Sequence, residues 1–438
     1  MLTNRPRGTN DILPGETEKW QWLENEIRRL CREYGYREIR TPVFEHTILF
    51  RRGVGEDTDV VEKEMYTFFD RGETSLTLRP EGTAAVVRAY IENGLYNQPQ
   101  PVKLYYVGPM FRYDRPQAGR YRQFHQFGVE VIGTRDPCLD VELLAMASDF
   151  CQRLGLWGVD LQINSVGCPS CRPLYREELR RFLADRKEGL CDNCRRRAER
   201  NPLRVLDCKE TACQEKIKDA PVPLKFLCPA CAEHFAAVEE GLKTVGVAYS
   251  INPRLVRGLD YYTLTAFELV FKGIGAQNSI GGGGRYDGLV EECGGPAAPG
   301  AGFAFGLERL LLALAEAGAD LPLDGGIEVF VAVLGREARL AALKILQMLR
   351  AQGLSADMDY LGRSLKAQMK VAGKSGAPFA LLVGGEELAR GAVVVRDMRE
   401  SSQAEVPVEE AADYLKKVVG KAKSQDRRSG KADYGARP

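Results

Sequence analysis

The sequence is poor in histidine and has no excess of charge of either sign. Its 438 residues include 3 histidines, and 61 lysines and arginines balance 60 aspartates and glutamates to leave a net charge of +1. This balance excludes a uniformly basic coat for nucleic acid and a strongly acidic disordered chain, although a local basic patch can still bind a polyanion. The three histidines support neither a histidine-rich metal site nor a Ser-His-Asp arrangement.

Long apolar segments are lacking as well. No apolar run reaches the roughly 18 residues of a membrane-spanning helix. The first residues, Met-Leu-Thr-Asn-Arg-Pro-Arg-Gly, have no apolar core of the kind found in secretory signals, so the cytosol is the expected compartment. The hydrophobic fraction of 44% is that of an ordinary globular protein. At ~150 residues per domain, the length predicts two or three domains.

Composition and periodicity predict four parts. They are a first domain in two segments, 1–165 and 236–320, a cysteine-rich insertion at 166–235, an α/β unit at 326–419, and a disordered basic tail at 420–438. The insertion has few strand signals and several arginines, whereas the α/β unit alternates apolar strands with helical segments. The tail has six lysines or arginines and no apolar pattern.

Several segments have a clear local pattern. Apolar residues at helical spacing predict a helix at 16–34. Residues 36–44 are predicted to form a strand broken by Pro42, which suits an edge or an interface. Residues 281–289 are predicted to form a glycine-rich loop, although they match neither a P-loop nor a dinucleotide-binding fingerprint. Residues 300–310 indicate a strand of small residues that runs into a helix.

Cysteine is the one residue type with an unusual distribution. Eight of the twelve cysteines form four close pairs, namely Cys168/Cys171, Cys191/Cys194, Cys208/Cys213 and Cys228/Cys231. In a reducing cytosol such pairs hold metal more often than they form disulfides. They could complete two four-thiolate sites, or one site with four thiols left over, or be relics of a lost site, and the sequence does not fix their pairing. The remaining four are interpreted as buried core thiols, namely Cys31, Cys138, Cys151 and Cys293.

A cluster of arginines lies between two predicted strands. Four arginines occur within eleven residues: Arg112, Arg115, Arg120 and Arg122. The guanidinium fork matches phosphate oxygens, so a phosphate site is favoured over a merely solvated sheet face. On the second strand, alternation predicts that Gln126, Gly128 and Glu130 share a polar face with a gap at Gly128 where a ligand could lie flat.

Other polar residues lie at the ends of predicted elements. Glu81 and Thr83 begin a helix predicted from about 81 to 93, where they could cap it or bind a substrate ammonium. Arg309 lies in the first turn of another helix, where backbone N–H groups already favour an anion. His125 is interpreted as a partly buried histidine with its hydrogen bonds satisfied rather than as a catalytic base.

Together these segments resemble the class II aminoacyl-tRNA synthetases. Thr41-Pro42, Phe111-Arg112 with Glu130, and residues 302–309 are similar to their motifs 1, 2 and 3. Residues 255–262 and 282–288 resemble two signature segments of the histidyl-tRNA synthetases, and the resemblance runs from residue 5 to about 419. It implies an α+β fold: a catalytic domain on an antiparallel sheet flanked by helices, a helical cysteine-rich insertion and a C-terminal α/β anticodon-binding domain. The cysteines and the tail depart from the family pattern.

The resemblance implies that the protein activates histidine with ATP and transfers it to tRNA(His). Catalytic arginines on the phosphates would be Arg112, Arg257 and Arg309. Histidine-binding residues would be Glu81, Gly82, Thr83, Gln126, Glu130, Tyr261 and Tyr262. Contacts to the tRNA acceptor end would come from Arg115, Gln117, Arg120 and Arg122.

The resemblance also implies Mg²⁺ on the ATP phosphates, a homodimer joined through motif 1 and no membrane partner. To these we add structural Zn²⁺ as an expectation from the clustered cysteines. One alternative is a non-catalytic relative, the regulatory subunit of ATP phosphoribosyltransferase, which lacks the anticodon domain and several signature residues. Another is a synthetase-like nucleic-acid-binding or sensor module.

Overall fold

A computed structural model describes residues 3–55, 58–206, 208, 210–256, 259–275, 278–323 and 326–431, with side chains as far as residue 422. The chain divides into two compact units, Met1–Pro322 and Leu323–Pro438. No helix in the described part of the chain is both long enough and apolar enough to span a membrane.

The first unit is organised around an antiparallel sheet. Its strands are β1 Arg37–Glu38, β2 Phe44–His46, β3 Tyr66–Phe69, β4 Ser75–Leu78, β5 Val102–Phe111, β6 Gln123–Ile132, β7 Asp160–Ser165, β8 Ser250–Ile251, β9 Thr263–Val270, β10 Ser279–Arg285 and β11 Gly300–Gly306. Eight of them form a sheet in the order β1-β5-β6-β11-β10-β9-β7-β8, and β2-β4-β3 form a small separate sheet. Only the outermost pairs of the large sheet, β1 with β5 and β7 with β8, are parallel.

Helices accompany this sheet along the chain. They are α1 Thr17–Glu33, α2 Thr47–Val54, α3 Thr83–Glu92, α4 Pro137–Arg153, α5 Arg172–Ala184, α6 Asp192–Arg200, α7 Thr211–Lys216, α8 Pro229–Thr244, α9 Leu289–Glu292 and α10 Leu307–Glu316. The predicted first helix is confirmed because Leu23, Ile27 and Leu30 recur at helical spacing and are fully buried.

Strand β6 separates the apolar core from a polar face. Phe127, Val129 and Val131 are fully buried in the main core. The intervening Gln126 and Glu130 point to the other side and line a cleft. The predicted alternation is confirmed because side chains of a strand alternate between its two faces.

Two predicted elements differ in the structure. The predicted glycine-rich loop at 281–289 is mostly strand β10, in the interior of the large sheet. Glycine is needed there because a Cβ on Gly283 would lie 2.0 Å from the carbonyl oxygen of Gly302, and one on Gly281 would lie 2.5 Å from the Phe305 ring. The predicted strand at 36–44 is divided between β1 and β2, which belong to different sheets.

The cysteine-rich segment is helical, with short 3₁₀ turns between α5, α6, α7 and α8. It has a small core of its own in which Leu179, Leu183 and Ile217 pack with three of its cysteines. The predicted boundary at residue 235 falls inside α8, so this helix continues from the insertion into the catalytic unit. Of the cysteines outside the segment, Cys138 is exposed, which corrects its interpretation as a core thiol.

The second unit is an α/β domain. Its elements are β12 Val329–Leu334, α11 Arg339–Ala351, β13 Ala356–Met358, α12 Leu365–Lys374, β14 Phe379–Gly384, α13 Gly385–Ala389, β15 Ala392–Asp397, β16 Gln403–Pro407 and α14 Ala411–Lys431. The strand order is β13-β12-β14-β15-β16. Strand β12 is parallel to β13 and β14, whereas β15 is antiparallel to both of its neighbours.

The predicted disordered tail is partly wrong. Helix α14 continues through the first part of it to Lys431, whereas residues 432–438 lie outside the described residues. The helix is anchored because Ala411, Leu415 and Val419 bury one face at four-residue spacing. The residues that follow include lysine, alanine, glutamine and arginine, which are good helix formers.

Candidate active site

One cleft brings most of the predicted site residues together. It has a volume of about 780 Å³ and lies over the polar face of the large sheet. The predicted residues that line it are Glu81, Thr83, Arg112, Arg120, Gln126, Glu130, Tyr261, Tyr262 and Arg309. Arg257, a predicted catalytic residue, lies outside the described residues.

Strand pairing explains how the acidic end of the cleft is built. Strand β11 pairs with β6 so that Gly302 lies opposite Glu130 and Gly306 opposite Gln126. A Cβ on Gly302 would lie 2.3 Å from Oε2 of Glu130, so a larger residue there would displace the carboxylate. The small residues of β11 therefore make room for the polar side chains of β6.

Glu130 lies at the buried end of the cleft. Thr83 Oγ1 donates to its Oε1 at 2.7 Å, and the Tyr286 hydroxyl donates to its Oε2. Burial raises the pKa of Glu130 to about 8, although the hydrogen bonds from Tyr286 and Thr83 act in the opposite direction. The folded protein therefore holds this proton to a higher pH than a free glutamate does.

Tyr106 occupies the gap that the sequence leaves at Gly128. A Cβ on Gly128 would lie 2.3 Å from Tyr106 Cζ, and a Cβ on Gly82 would lie 2.2 Å from the same atom. The expectation that a ligand lies flat at Gly128 is therefore wrong, because a buried phenol already fills this position. The same contact accounts for Gly82, a predicted histidine-binding residue that does not line the cleft among the described residues.

The start of α3 combines a helix cap with a wall of the cleft. Glu81 accepts hydrogen bonds from the backbone N–H groups of Thr83 and Ala84, at 2.7 and 2.8 Å. Glu81 therefore caps α3, which is one of the two roles predicted for it, and its side chain also borders the cleft. Burial raises the pKa of Glu81, and these backbone hydrogen bonds lower it in part.

Gln126 points into the cleft with an unused acceptor. Its Oε1 is buried and has no hydrogen-bond partner among the residues that the structure describes. Buried polar atoms are rarely left in this state, because the loss of hydration is not compensated. An amide oxygen beside the carboxyl groups of Glu81 and Glu130 is suited to a substrate ammonium or another N–H donor.

The opposite end of the cleft is cationic. Nε of Arg112 donates to the carbonyl oxygen of Pro80 at 2.8 Å, and its guanidinium carbon lies 5.5 Å from the ring centre of Phe124. Arg309 is the third residue of α10. Burial and the nearby charge of Arg120 lower the pKa of Arg309. Guanidinium groups crowded in this way favour a polyanion such as a triphosphate.

The loop after Arg112 places its polar residues in two environments. Arg115 and Gln117 are exposed, and Gln117 pairs with Arg120 across the turn. Arg120 lines the cleft and forms an ion pair with Asp114 at 2.7 Å. Arg122 packs its guanidinium 3.7 Å from the ring centre of Tyr113. Among the described residues, Arg115, Gln117 and Arg122 do not line the cleft.

Aromatic side chains close the acidic end. The rings of Tyr261 and Tyr262 lie 4.7 Å apart, and Tyr286 lies 5.7 Å from Tyr261. Sequence reasoning missed Tyr286 as a site residue. The signal was its place inside the signature-like segment 282–288.

His125 takes no part in the cleft that the structure describes. Its Nδ1 lies 3.0 Å from Glu308, and its ring packs edge-on against Trp20. The interpretation of a satisfied, partly buried histidine is therefore confirmed.

The eight clustered cysteines form two separate groups. The proximal set joins the two ends of the segment and consists of Cys168, Cys171, Cys228 and Cys231. The distal set consists of Cys191, Cys194, Cys208 and Cys213. In each set all sulfurs lie within 4.8 Å of one another, and none of the cysteines forms a disulfide. Tetrahedral zinc with bonds of about 2.3 Å holds its sulfurs about 3.8 Å apart, so both sets could hold a metal ion.

Comparisons with known proteins show which family the chain is similar to. The family model described as "Histidyl-tRNA synthetase" matches residues 8–310, and that described as "Anticodon binding domain" matches residues 328–418. A histidine--tRNA ligase of Desulforamulus reducens is 61% identical over 416 residues, covering 95% of this chain and 99% of the relative. One of Pelotomaculum thermopropionicum is 61% identical over 425 residues, covering 97% and 100%.

Among solved structures, the apo histidyl-tRNA synthetase of S. aureus is similar to this chain with a TM-score of 0.80 and 42% identity. The match covers 94% of this chain and 100% of that one. The α+β fold expected from the sequence is thus confirmed. The chain belongs to the histidyl-tRNA synthetase family.

Proposed function

We propose that this protein is a histidine--tRNA ligase that forms histidyl-adenylate from histidine and ATP and then transfers the histidyl group to tRNA(His). The observation that carries the proposal is a single cleft with a buried carboxyl, phenol and amide end and a cationic end. The first end suits an amino acid with a polar ring, and the second suits a triphosphate.

In the first step an oxygen of the histidine carboxylate attacks the α-phosphorus of ATP, and pyrophosphate leaves. The nucleophile is already an anion, so no general base is required. Arg112 stabilises the charge that builds on the α-phosphate, and Arg309 holds the outer phosphates. We assign Arg257 to the other side of the α-phosphate by family resemblance, since it lies outside the described residues.

Histidine is recognised at the carboxyl end of the cleft. Glu130 and Tyr262 contact the two imidazole nitrogens, with Tyr261 alongside. Glu81, Thr83 and Gln126 hold the α-ammonium, and the unpartnered Oε1 of Gln126 supports this assignment. An amino acid without the imidazole leaves buried polar groups unpaired, a penalty that can reach about 10⁴- to 10⁵-fold in selectivity.

Mg²⁺ binds with the ATP phosphates in this proposal. Carboxylate oxygens suit it, and Glu64 and Glu268 line the cleft with electrostatic interactions to Arg112 and Arg309 respectively. When bound, the ion supplies charge neutralisation for the leaving pyrophosphate.

Pyrophosphate exchange with each of the twenty amino acids tests the activity. We expect exchange with histidine alone, and Arg257→Ala to reduce it by at least about 100-fold. An exposed arginine of the second unit, changed as Arg390→Ala, is the control. Exchange with another amino acid would overturn the substrate, and unchanged exchange in Arg257→Ala would overturn the role of that residue.

The tRNA contacts are divided between the two units. Arg115, Gln117, Arg120 and Arg122 face the acceptor end, and the second unit reads the anticodon, whose unstacked bases suit recognition by protein. A chain ending at residue 325 should retain most adenylate formation and lose aminoacylation. Equal loss of both activities would contradict anticodon reading.

A homodimer fits an exposed apolar patch. On one face of the small sheet Phe44 and Phe68 have relative exposures of 47% and 41%, with ring centres 6.4 Å apart, and Phe44 lies two residues after the motif 1 Pro42. Two-fold dimers are the commonest soluble assembly. Light scattering should give about twice 48.6 kDa. Phe68→Asp should lower this mass, whereas Trp157→Asp, at another exposed aromatic, should not. An active wild-type monomer would refute the dimer.

The two cysteine sets bind structural Zn²⁺ in this proposal, and the cytoplasm, which keeps thiols reduced, is the compartment. Protein purified without chelator should contain two zinc ions per chain, one for each set. Zinc near zero, with all eight thiols freely titratable, would contradict this part.

The regulatory-subunit alternative is disfavoured. A chain similar in fold, at 21% identity and a TM-score of 0.64, is described as an ATP phosphoribosyltransferase regulatory subunit/histidyl-tRNA synthetase of Bacillus halodurans C. The present chain has an anticodon-binding unit at residues 328–418 and keeps Arg112 and Arg309 in the cleft, and relatives at 61% identity are named histidine--tRNA ligase.

A further inference from the structure

Helix α6 has almost no apolar surface with which to attach itself. All nine of its residues are described, and Cys194 alone among them is buried. The following helix α7 is similar, because Cys213 is the only buried residue among its six described positions. Isolated helices of this length are marginal in water. Both helices are therefore held largely through the distal cysteine set.

The same α6 helix contacts the walls of the substrate cleft. Arg197 donates to Asp59 at 2.6 Å, and Arg200 lies 3.6 Å from Glu62. The π-helical turn Val60–Glu64 begins beside this contact. At the end of this turn, the backbone carbonyl oxygen of Glu64 accepts a 2.7 Å hydrogen bond from the backbone N–H of Tyr113. Tyr113 is the residue that follows Arg112. A continuous set of contacts thus leads from α6 to the phosphate-binding arginine.

A second contact leads to the histidine end of the cleft. Asn201, the residue after α6, is buried, and its Nδ2 donates to Oδ1 of Asp260 at 3.2 Å. Asp260 immediately precedes Tyr261 and Tyr262, and the backbone N–H of Asp260 is held by the carbonyl oxygen of Val54. Cys191 and Arg197 themselves line the cleft.

We propose that Zn²⁺ bound by Cys191, Cys194, Cys208 and Cys213 is a positioning element of the active site. The metal fixes α6, and α6 fixes the two cleft walls through Arg197 with Asp59 and through Asn201 with Asp260. The ligands themselves do not touch the reacting atoms. This inference rests on the proposed ligase function and adds to it that adenylate formation depends on occupancy of the distal site.

The proximal set has a different position. Cys168 and Cys171 follow the end of β7, and Cys228 and Cys231 begin α8, so a metal there joins the entry and exit of the segment. Loss of the proximal metal would release the whole segment, whereas loss of the distal metal would release α6 and α7 alone. The distal site is therefore the one that separates positioning from general folding.

The experiment compares full-length variants by zinc content and by kinetics of histidine-dependent pyrophosphate exchange. Cys194→Ser with Cys213→Ser should reduce zinc from two to one per chain. It should also reduce kcat/KM by up to about 100-fold, as expected when reacting groups are misplaced by about 1 Å. Cys138→Ser, at an exposed cysteine away from both sets, should change neither quantity.

A second pair of variants leaves the thiols intact. Arg197→Ala should keep two zinc ions per chain and still lower kcat/KM, and Arg197→Lys should restore part of the loss because it keeps the charge opposite Asp59. The matched control is Arg181→Ala on helix α5, where the exposed Arg181 side chain pairs with Glu177 of that helix. It should change neither zinc content nor kcat/KM.

Cobalt supplies a readout that is independent of activity. Co²⁺ loaded into the wild type should give the charge-transfer bands of tetrahedral thiolate coordination, and the distal double variant should lose half of this intensity. If the wild type is active in histidine-dependent exchange but kcat/KM is unchanged in the distal double variant or in Arg197→Ala, the positioning role is overturned and the proposed function stands. Absence of histidine-dependent exchange in the wild type would instead overturn the proposed function.

Discussion

The large sheet and the cysteine-rich segment hold their functional side chains by different physical means. In the sheet, strand register sets Glu130 opposite Gly302, and the other face of the same strands packs Phe127 and Phe305 into a large apolar core. In the segment, α6 and α7 each bury one cysteine and little else among their described residues. The first region relies on many small contacts, and the second relies on a few ligands.

This difference teaches where each region is vulnerable. Apolar packing is distributed, so the loss of one side chain costs a part of the stabilisation and the remainder persists. A site of four thiolates is close to all-or-none, since a metal-dependent fold has little to replace the missing bonds. Changes that remove metal should therefore act locally and strongly, and changes in the sheet should act on the whole unit.

Removal of metal should give the largest effect. Structural zinc contributes on the order of 10 kcal/mol to small domains, more than the small core of the segment can replace. Chelation should therefore expose the backbone amides of α6 and α7 to hydrogen exchange, while the amides of β6 and β11 remain protected. Peptide-resolved exchange with mass detection measures both in one sample.

Re-addition of Zn²⁺ to the same sample is the control, and it should restore protection to α6 and α7. Protection that survives complete chelation would mean that apolar packing alone holds the segment, and the contrast between the two regions would then disappear.

Phe127→Ala should give the next largest effect, and it should be global. Phe127 is fully buried and contacts Phe150, Phe303 and Phe305, so its truncation should cost about 3–5 kcal/mol in the free energy of unfolding. Leu179→Ala, in the core of the segment, is the matched variant. It should lower the protection of the segment and leave that of the sheet unchanged, whereas Phe127→Ala should lower both.

Much of the sheet and its polar face could be predicted from the sequence. The alternation of Phe127 and Val129 with Gln126 and Glu130 follows from strand geometry alone, so no tertiary information is needed. The position of Arg309 in the first turn of α10 could likewise be predicted from neighbouring residues alone. These are the features that depend on residues close together in the chain.

The remainder depends on distant partners. The run of glycines in 281–289 predicts a loop, but most of it forms strand β10. The reason for these glycines lies in Phe305 and the Gly302 carbonyl of a neighbouring strand. Tyr106 fills the space over Gly82 and Gly128, a fit that no local pattern indicates. The division of the cysteines into two sets likewise follows the path of the chain between 171 and 228.

Arg309→Ala should produce a loss of similar size to Phe127→Ala, but in activity and without a loss of folding. Removal of one preorganised group that stabilises developing charge costs about 100- to 1,000-fold in rate, or about 2.7–4 kcal/mol. Pyrophosphate exchange should show this loss while the thermal midpoint stays near that of the wild type. The exchange rate of Arg309→Lys should lie between those of the wild type and Arg309→Ala. If Arg309→Ala unfolds, Arg309 is mainly a packing residue.

The smallest expected effect concerns the pH dependence of stability at Glu130. Burial raises its pKa to about 8 from its ordinary value of 4.5. Between these two values the unfolded chain loses its proton and the folded chain retains it, so the contribution of this group to stability falls as pH rises. The slope is about 1.4 kcal/mol per pH unit within this window and levels off above pH 8.

Glu130→Gln removes this titration and keeps the shape of the side chain, because the hydroxyls of Thr83 and Tyr286 can rotate to suit an amide. The variant should therefore gain stability relative to the wild type as pH rises from about 5 to about 8, with a constant difference above that range. Denaturant unfolding at a series of pH values measures the difference, and Glu316→Gln, at an exposed position of α10, is the control. A difference between wild type and Glu130→Gln that does not vary with pH would mean that the carboxyl is ionised throughout. Glu130 would then be a permanent carboxylate that accepts hydrogen bonds from the hydroxyls of Thr83 and Tyr286.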